Sequence, residues 1–268
     1  MIEVLRQQFN RDMDSEEKIN RVREALQISI LKIMYNKGYF DRIAFVGGTA
    51  LRFLHGLKRF SEDLDFSLID KKKYNFSEVI AQIEKEFKLQ GLGSKARVKR
   101  EKCVNSIFLK FSGLLKTLGL SSMESRNLSI KIEIDTNPPP GWNIENTLIN
   151  KIYLINLTHY DLSSLYAGKL HACLFRKFSK GRDFYDLIWY LSKAINPNYK
   201  MLNNAIERTQ GRKSNINESN FCGFLMEQIE NTDFDAMGRD VERFLEDKDE
   251  AKLINFQVIK NLLLSERR

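Results

Sequence analysis

Apolar positions in this chain recur first at helical spacing and then in alternation. Ile19, Val22, Leu26, Ile30 and Ile33 fall near the 3.6-residue period, which predicts one buried stripe along a long helix. Asp14 or Ser15 caps its start and Gly38 closes the segment. A short apolar run, Ile43 to Val46, reads as a strand that ends in Gly47-Gly48, with a helix-like run after it from Thr49 to about Leu57. A second strand-like segment carries Asp63 and Asp65, and another helix beginning at Ser77 presents Val79, Ile80, Ile83 and Phe87.

From Ala96 to Phe111 the pattern is strand-like, with a break around Arg100 to Cys103. Leu128 to Thr136, LSIKIEIDT, alternates most clearly: Ile130, Ile132 and Ile134 on one face, Lys131, Glu133 and Asp135 on the other. The run Pro138-Pro139-Pro140-Gly141 stops regular structure, although a strand from Tyr153 to Leu157 could still rejoin the sheet. Beyond it the pattern is mostly helical: Ser163–Phe175, Asp183–Leu191, Tyr199–Arg208, a helix after Asn217, Met237–Phe244 and Phe256–Leu264. The division expected is a mixed domain over 1–150 and a mainly helical domain over 151–268, in an α+β chain.

Composition narrows the class without naming it. The chain has 268 residues and 43% apolar content, enough for a substantial core. A formal charge of +8 permits attraction to nucleic acid but does not distinguish RNA from DNA or from an acidic protein. Basic residues gather at Lys95, Arg97, Lys99, Arg100 and Lys102, either as a solvated sheet edge or as a rim facing RNA or nucleotide. Three scattered cysteines and three histidines fit no zinc spacing. The charged first residues are no signal peptide, and no apolar stretch is long enough to span a bilayer, so a cytoplasmic protein is expected.

The chemistry concentrates between Phe45 and Leu68. Carboxylates two apart on a strand share a face, so Asp63 and Asp65 would stand together and repel unless a cation neutralises them. Mg2+ takes oxygen ligands and bridges readily to phosphate. Paired glycines allow close backbone approach at a strand-to-helix turn, and the amides opening the next helix favour an anion. A third carboxylate would come from the LSIKIEIDT strand if it lies beside the Asp63/Asp65 segment, with Glu133 favoured and Asp135 on the same face as the alternative.

GGTALR and, after it, RFSEDLDF resemble the signature of the AbiEii/AbiGii-type nucleotidyltransferase toxins, within the polymerase-beta-like superfamily. That resemblance implies a mixed-sheet nucleotidyltransferase core flanked by helices, plus a helical C-terminal domain. It implies Mg2+ or Mn2+ at Asp63, Asp65 and the third acid, and an NTP as substrate. Gly47, Gly48, Thr49, Arg52, Arg59 and Ser61 match the nucleotide-binding signature, with Arg59 either contacting phosphate or bracing the acidic strand. Further on, AGKLHACLFRKFSKGRDFYDL matches the later motif: Lys169 as a cation for phosphate, Arg182 similarly, and Asp183 and Asp186 orienting them by salt bridges.

The implied activity is transfer of an NMP from an NTP to an acceptor hydroxyl. Some relatives use the 3′ end of tRNA, others are linked to GTP, and a cognate antitoxin accompanies the toxin. A phosphotransferase or kinase-like enzyme, and a non-catalytic nucleotide- or RNA-binding protein, are the alternatives.

Overall fold

The computed structural model describes residues 1–72, 74–123 and 125–265. Two short-range signals start the fold. Asp14 accepts a hydrogen bond from the Glu17 amide and caps helix α2 (Ser15–Asn36), which comes after the five-residue α1 (Ile2–Arg6). Gly38, at φ +68°, then turns the chain into β1 (Ile43–Val46).

The next elements are α3 (Gly47–His55), β2 (Leu64–Leu68), α4 (Phe76–Leu89), β3 (Lys95–Arg100), β4 (Val104–Phe111), the single turn α5 (Leu114–Thr117), β5 (Leu128–Asp135), β6 (Ile144–Asn150) and β7 (Leu154–Tyr160). The strands form a seven-stranded mixed sheet in the order β3-β4-β5-β2-β1-β7-β6. β1/β2, β3/β4 and β4/β5 pair antiparallel, whereas β2/β5 and β1/β7 run parallel.

The alternation predicted for β5 is realised: Leu128, Ile130, Ile132 and Ile134 are buried. Ile107, Leu109 and Phe111 of β4 line the same layer, and Phe87 of α4 meets Phe111 edge-on at 5.1 Å. Helices α2 and α4 pack on each other and reach β5 and β3, so one face of this part of the sheet is covered. The opposite face is left for polar side chains. β7 returns to the sheet as the sequence allows, while β6 is a strand the sequence does not predict.

The remaining helices are α6 (Leu162–Phe175), α7 (Gly181–Ser192), α8 (Tyr199–Gln210), α9 (Phe221–Ile229), α10 (Phe234–Val241) and α11 (Phe256–Ser265). Their core includes Tyr166 and Tyr190, stacked at 4.2 Å, with Phe221 edge-on to Tyr166. The chain divides into two compact units. The first comprises Met1–Leu54, Ser61–Pro138 and Asn146–His159; the second comprises His55–Phe60, Pro139–Glu145 and the chain from Tyr160 on. The proline run thus falls at one crossing, and the short segment before Ser61 is another. Among the described residues no helix is long and apolar enough to cross a membrane.

Candidate active site

The first unit builds its candidate site where β1 turns into α3. Gly47 has φ +79°, and a Cβ there would lie 2.3 Å from Asp65 Oδ2. Both conditions demand glycine: the backbone is left-handed, and the space is already filled by the carboxylate. The helix starts at Gly47, two residues ahead of the predicted Thr49, so both glycines belong to its first turn. Thr49 is wholly buried and its hydroxyl donates to the Asp63 carbonyl oxygen, tying that turn to the entry of β2.

Register decides which acids meet. β2 lies parallel to β5 with Asp65 opposite Glu133 and Ser67 opposite Asp135. Residues directly opposite share a face, so Asp65 and Glu133 stand side by side, with Asp135 a step further along. Asp63 lies just before β2, rather than within a strand as the alternation predicts. Glu133 Oε1 accepts from Ser106 Oγ at 3.0 Å, and its Oε2 is 2.7 Å from Lys131 Nζ.

All four carboxylates are half-buried. Among the described residues, no three His, Cys, Asp or Glu side chains form a group that could hold a metal ion. The donor set is nonetheless all carboxylate oxygen, the chemistry a hard divalent ion takes, and Gly47 brings backbone against one of those carboxylates.

The other signature residues of this unit are engaged in packing. Arg52 is buried on α3 and grips Glu24 of α2, Nε to Oε1 and Nη2 to Oε2 at 3.2 Å. Ser61 is buried and its carbonyl oxygen accepts from Gln27 Nε2 at 3.0 Å. Glu62, directly before Asp63, pairs with Arg23 at 3.7 Å.

The second unit holds a different set of charges. Arg59 is fully buried and forks onto Asp186, with Nε–Oδ1 and Nη2–Oδ2 both 2.6 Å. Lys169 Nζ lies 2.8 Å from Asp186 Oδ2 and 2.9 Å from Asp183 Oδ1, while Arg176 Nη1 reaches Asp183 Oδ2 at 2.8 Å. Burial opposes the charge on Asp183, but Lys169 and Arg176 outweigh it and hold its pKa below the ordinary carboxylate value. Burial likewise works against the Lys169 ammonium, and Asp183 and Asp186 overcome it, so its pKa is raised.

Asp183 and Asp186 therefore both pair with Lys169. Arg182 makes a different contact, stacking on Phe244 with its guanidinium carbon 4.3 Å from the ring centre. His171 bonds to Thr209 at 2.8 Å, and burial lowers its pKa.

Sequence reasoning missed Ser106, the Arg59–Asp186 fork and the part played by Arg176. A buried arginine implies a buried acid, but nothing local in the sequence says which acid, since Arg59 and Asp186 are 127 residues apart.

A mixed sheet that sets a Gly-Gly turn against an Asp-x-Asp segment, with an in-register acid on the neighbouring parallel strand, is polymerase-beta-like nucleotidyltransferase architecture. The family model described as "Nucleotidyl transferase AbiEii toxin, Type IV TA system" matches residues 29–257, and the chain belongs to that family.

The fold is similar to the crystal structure of JHP933 from Helicobacter pylori, with TM-score 0.52, 17% identity, and 91% of this chain and 92% of that one covered. A second H. pylori structure, described as that of a candidate nucleotidyltransferase, has TM-score 0.51 and 18% identity, covering 91% of this chain and 95% of that one. No curated protein matches.

Proposed function

We propose that this member of the family is a Mg2+-dependent nucleotidyltransferase that moves an NMP from an NTP to an acceptor hydroxyl and acts as a toxin paired with a cognate antitoxin. Mn2+ would serve the same oxygen donors. The observation that carries the reading is Asp65 in register with Glu133 beneath the Gly47 turn.

In the proposed reaction the acceptor oxygen forms a bond to the α-phosphorus, the bond from that phosphorus to the bridging oxygen breaks, and pyrophosphate leaves. Divalent metal, held by Asp63, Asp65 and Glu133 with Asp135 as neighbour, would supply charge neutralisation and alignment of the attacking and leaving oxygens. Glu133 is the group we assign to accept the acceptor's proton. The turn at Gly47, Gly48 and Thr49 offers helix-start amides to a phosphate. Arg52 and Ser61 support that turn and its neighbours through Glu24 and Gln27, and Arg59 is fixed within the second unit by Asp186. In that second unit, Lys169 is the cation assigned to phosphate, kept charged by Asp183 and Asp186. Arg182 stiffens its helix against Phe244.

The test is incubation of the protein with total RNA, isolated tRNA and each NTP, labelled in turn at the α- and γ-phosphates. Transfer of α-label to RNA, with the tRNA 3′ end as the first acceptor to examine, and its loss in folded Asp63→Ala and Asp65→Ala proteins, is the expected result. Transfer of γ-label would instead mark a phosphotransferase. Tight NTP or RNA binding with no product would mark a binding protein.

A further inference from the structure

The open face of the sheet beyond the acids carries a second pattern. β3, β4 and β5 pair in register so that Arg97, Phe108 and Lys131 form one row across three strands. The next row outward is Lys95, Lys110 and Ser129; the next inward is Lys99, Ser106 and Glu133, and Asp65 continues it onto β2. In-register residues share a face, so these cations and the acids lie on one surface, opposite the layer of Ile107 and Leu109.

Phe108 is 38% exposed on this polar face, and Lys131 Nζ lies 5.5 Å from its ring centre. The side chains of Lys95, Arg97 and Lys110 are exposed and, among the described residues, take part in no ion pair or hydrogen bond. Lys99 is partly neutralised by Glu101. Arg100, on the other face, is tied to Ser77 and lies over Phe76.

We infer that this surface is a platform for single-stranded nucleic acid, with a base stacked on Phe108 and its phosphates beside Arg97, Lys95 and Lys110. An exposed aromatic ring surrounded by available cations is the chemistry that binds an unpaired strand, because every base has a π-face and every linkage a negative charge. A folded acidic protein would use the cations but has no need of the ring. Strand spacing and rise put the Phe108 and Asp65 backbones about 12 Å apart, so the stacked base would adjoin the reacting end. The inference rests on the proposed function only for the transfer step; binding of the strand stands on this surface by itself.

Binding is measured separately from transfer, by fluorescence anisotropy of a labelled single-stranded RNA 12-mer in EDTA without NTP. Phe108→Ala should weaken binding about tenfold, while Phe108→Trp holds or tightens it. Arg97→Ser and Lys110→Ser should each weaken it and flatten the log–log salt dependence by about 0.7. Asp65→Asn should bind at least as well as the unaltered protein. The inference is overturned if the unaltered protein does not bind the strand. It is equally overturned if the Phe108 and Arg97 variants, with unchanged melting temperatures, bind as before, or if duplex RNA is preferred. Loss of transfer with this binding pattern intact would instead fall on the proposed chemistry.

Discussion

Two groups of acids in this protein are held in opposite ways. On the sheet, Asp65 and Glu133 are half-buried, and the cation on Glu133 is Lys131, itself 31% exposed on a flexible stem. In the second unit, Asp186 has no exposure and meets the planar fork of Arg59, at 2% exposure, while Lys169 shares its Oδ2. The first arrangement keeps its counter-charge exchangeable, as the proposed binding of metal and triphosphate would require. The second fixes its counter-charge within the fold, where removing one partner strands the other.

Breaking each group should therefore fail differently. Asp65→Ala should lower nucleotidyl transfer by about 10³-fold or more while leaving the urea midpoint nearly unchanged, because water reaches a half-buried carboxylate and its surroundings. A collapse of stability in that variant would count against the comparison. Asp186→Ala leaves Arg59 buried without its partner and should reduce unfolding free energy by roughly 3–5 kcal/mol. A change of under about 1 kcal/mol would show that the fork is replaceable by water.

Gly47→Ala sharpens the contrast, because it disturbs the exchangeable group through the backbone. Left-handed φ should cost about 1–3 kcal/mol, and the added Cβ must push Asp65 aside, so transfer should fall by more than the stability loss explains. Equal transfer by a folded Gly47→Ala protein would detach the turn from the acids.

The smallest effect expected is on pH dependence. Asp183 has a depressed folded pKa, so its contribution is present above the unfolded value near 4 and is lost as pH falls through the lower folded one. Lys169 has a raised folded pKa, so its contribution is present below the unfolded value, about 10.4, and is lost as pH rises through the higher folded one. Urea denaturation of the Asp183→Asn protein should show a shallower acid-side decline than that of the unaltered protein.

Much of this is legible in the sequence. The Ile130, Ile132, Ile134 alternation fixes which face of β5 is buried, and therefore which face carries Glu133. The glycine pair and Asp-x-Asp mark the turn and its acids. Register is not legible, because a parallel pairing such as β2 with β5 is set by packing between distant segments. It is register that puts Glu133, and not Asp135, opposite Asp65.

β6 escapes prediction because its IENTLIN sequence buries only Ile149 and shows no clean alternation. The family resemblance gives Arg52 to nucleotide binding and leaves Arg59 either to contact phosphate or to brace the acidic strand. In the fold their guanidinium groups meet Glu24 and Asp186.

The most direct measurement is a double-mutant cycle on kcat/KM for transfer, using Asp65→Asn, Glu133→Gln and the two together. Acids that serve one centre lose their function jointly, so the double variant should be no slower than the slower single one. Losses that multiply would mean the two carboxylates act independently, and the shared centre on β2 and β5 would have to be given up.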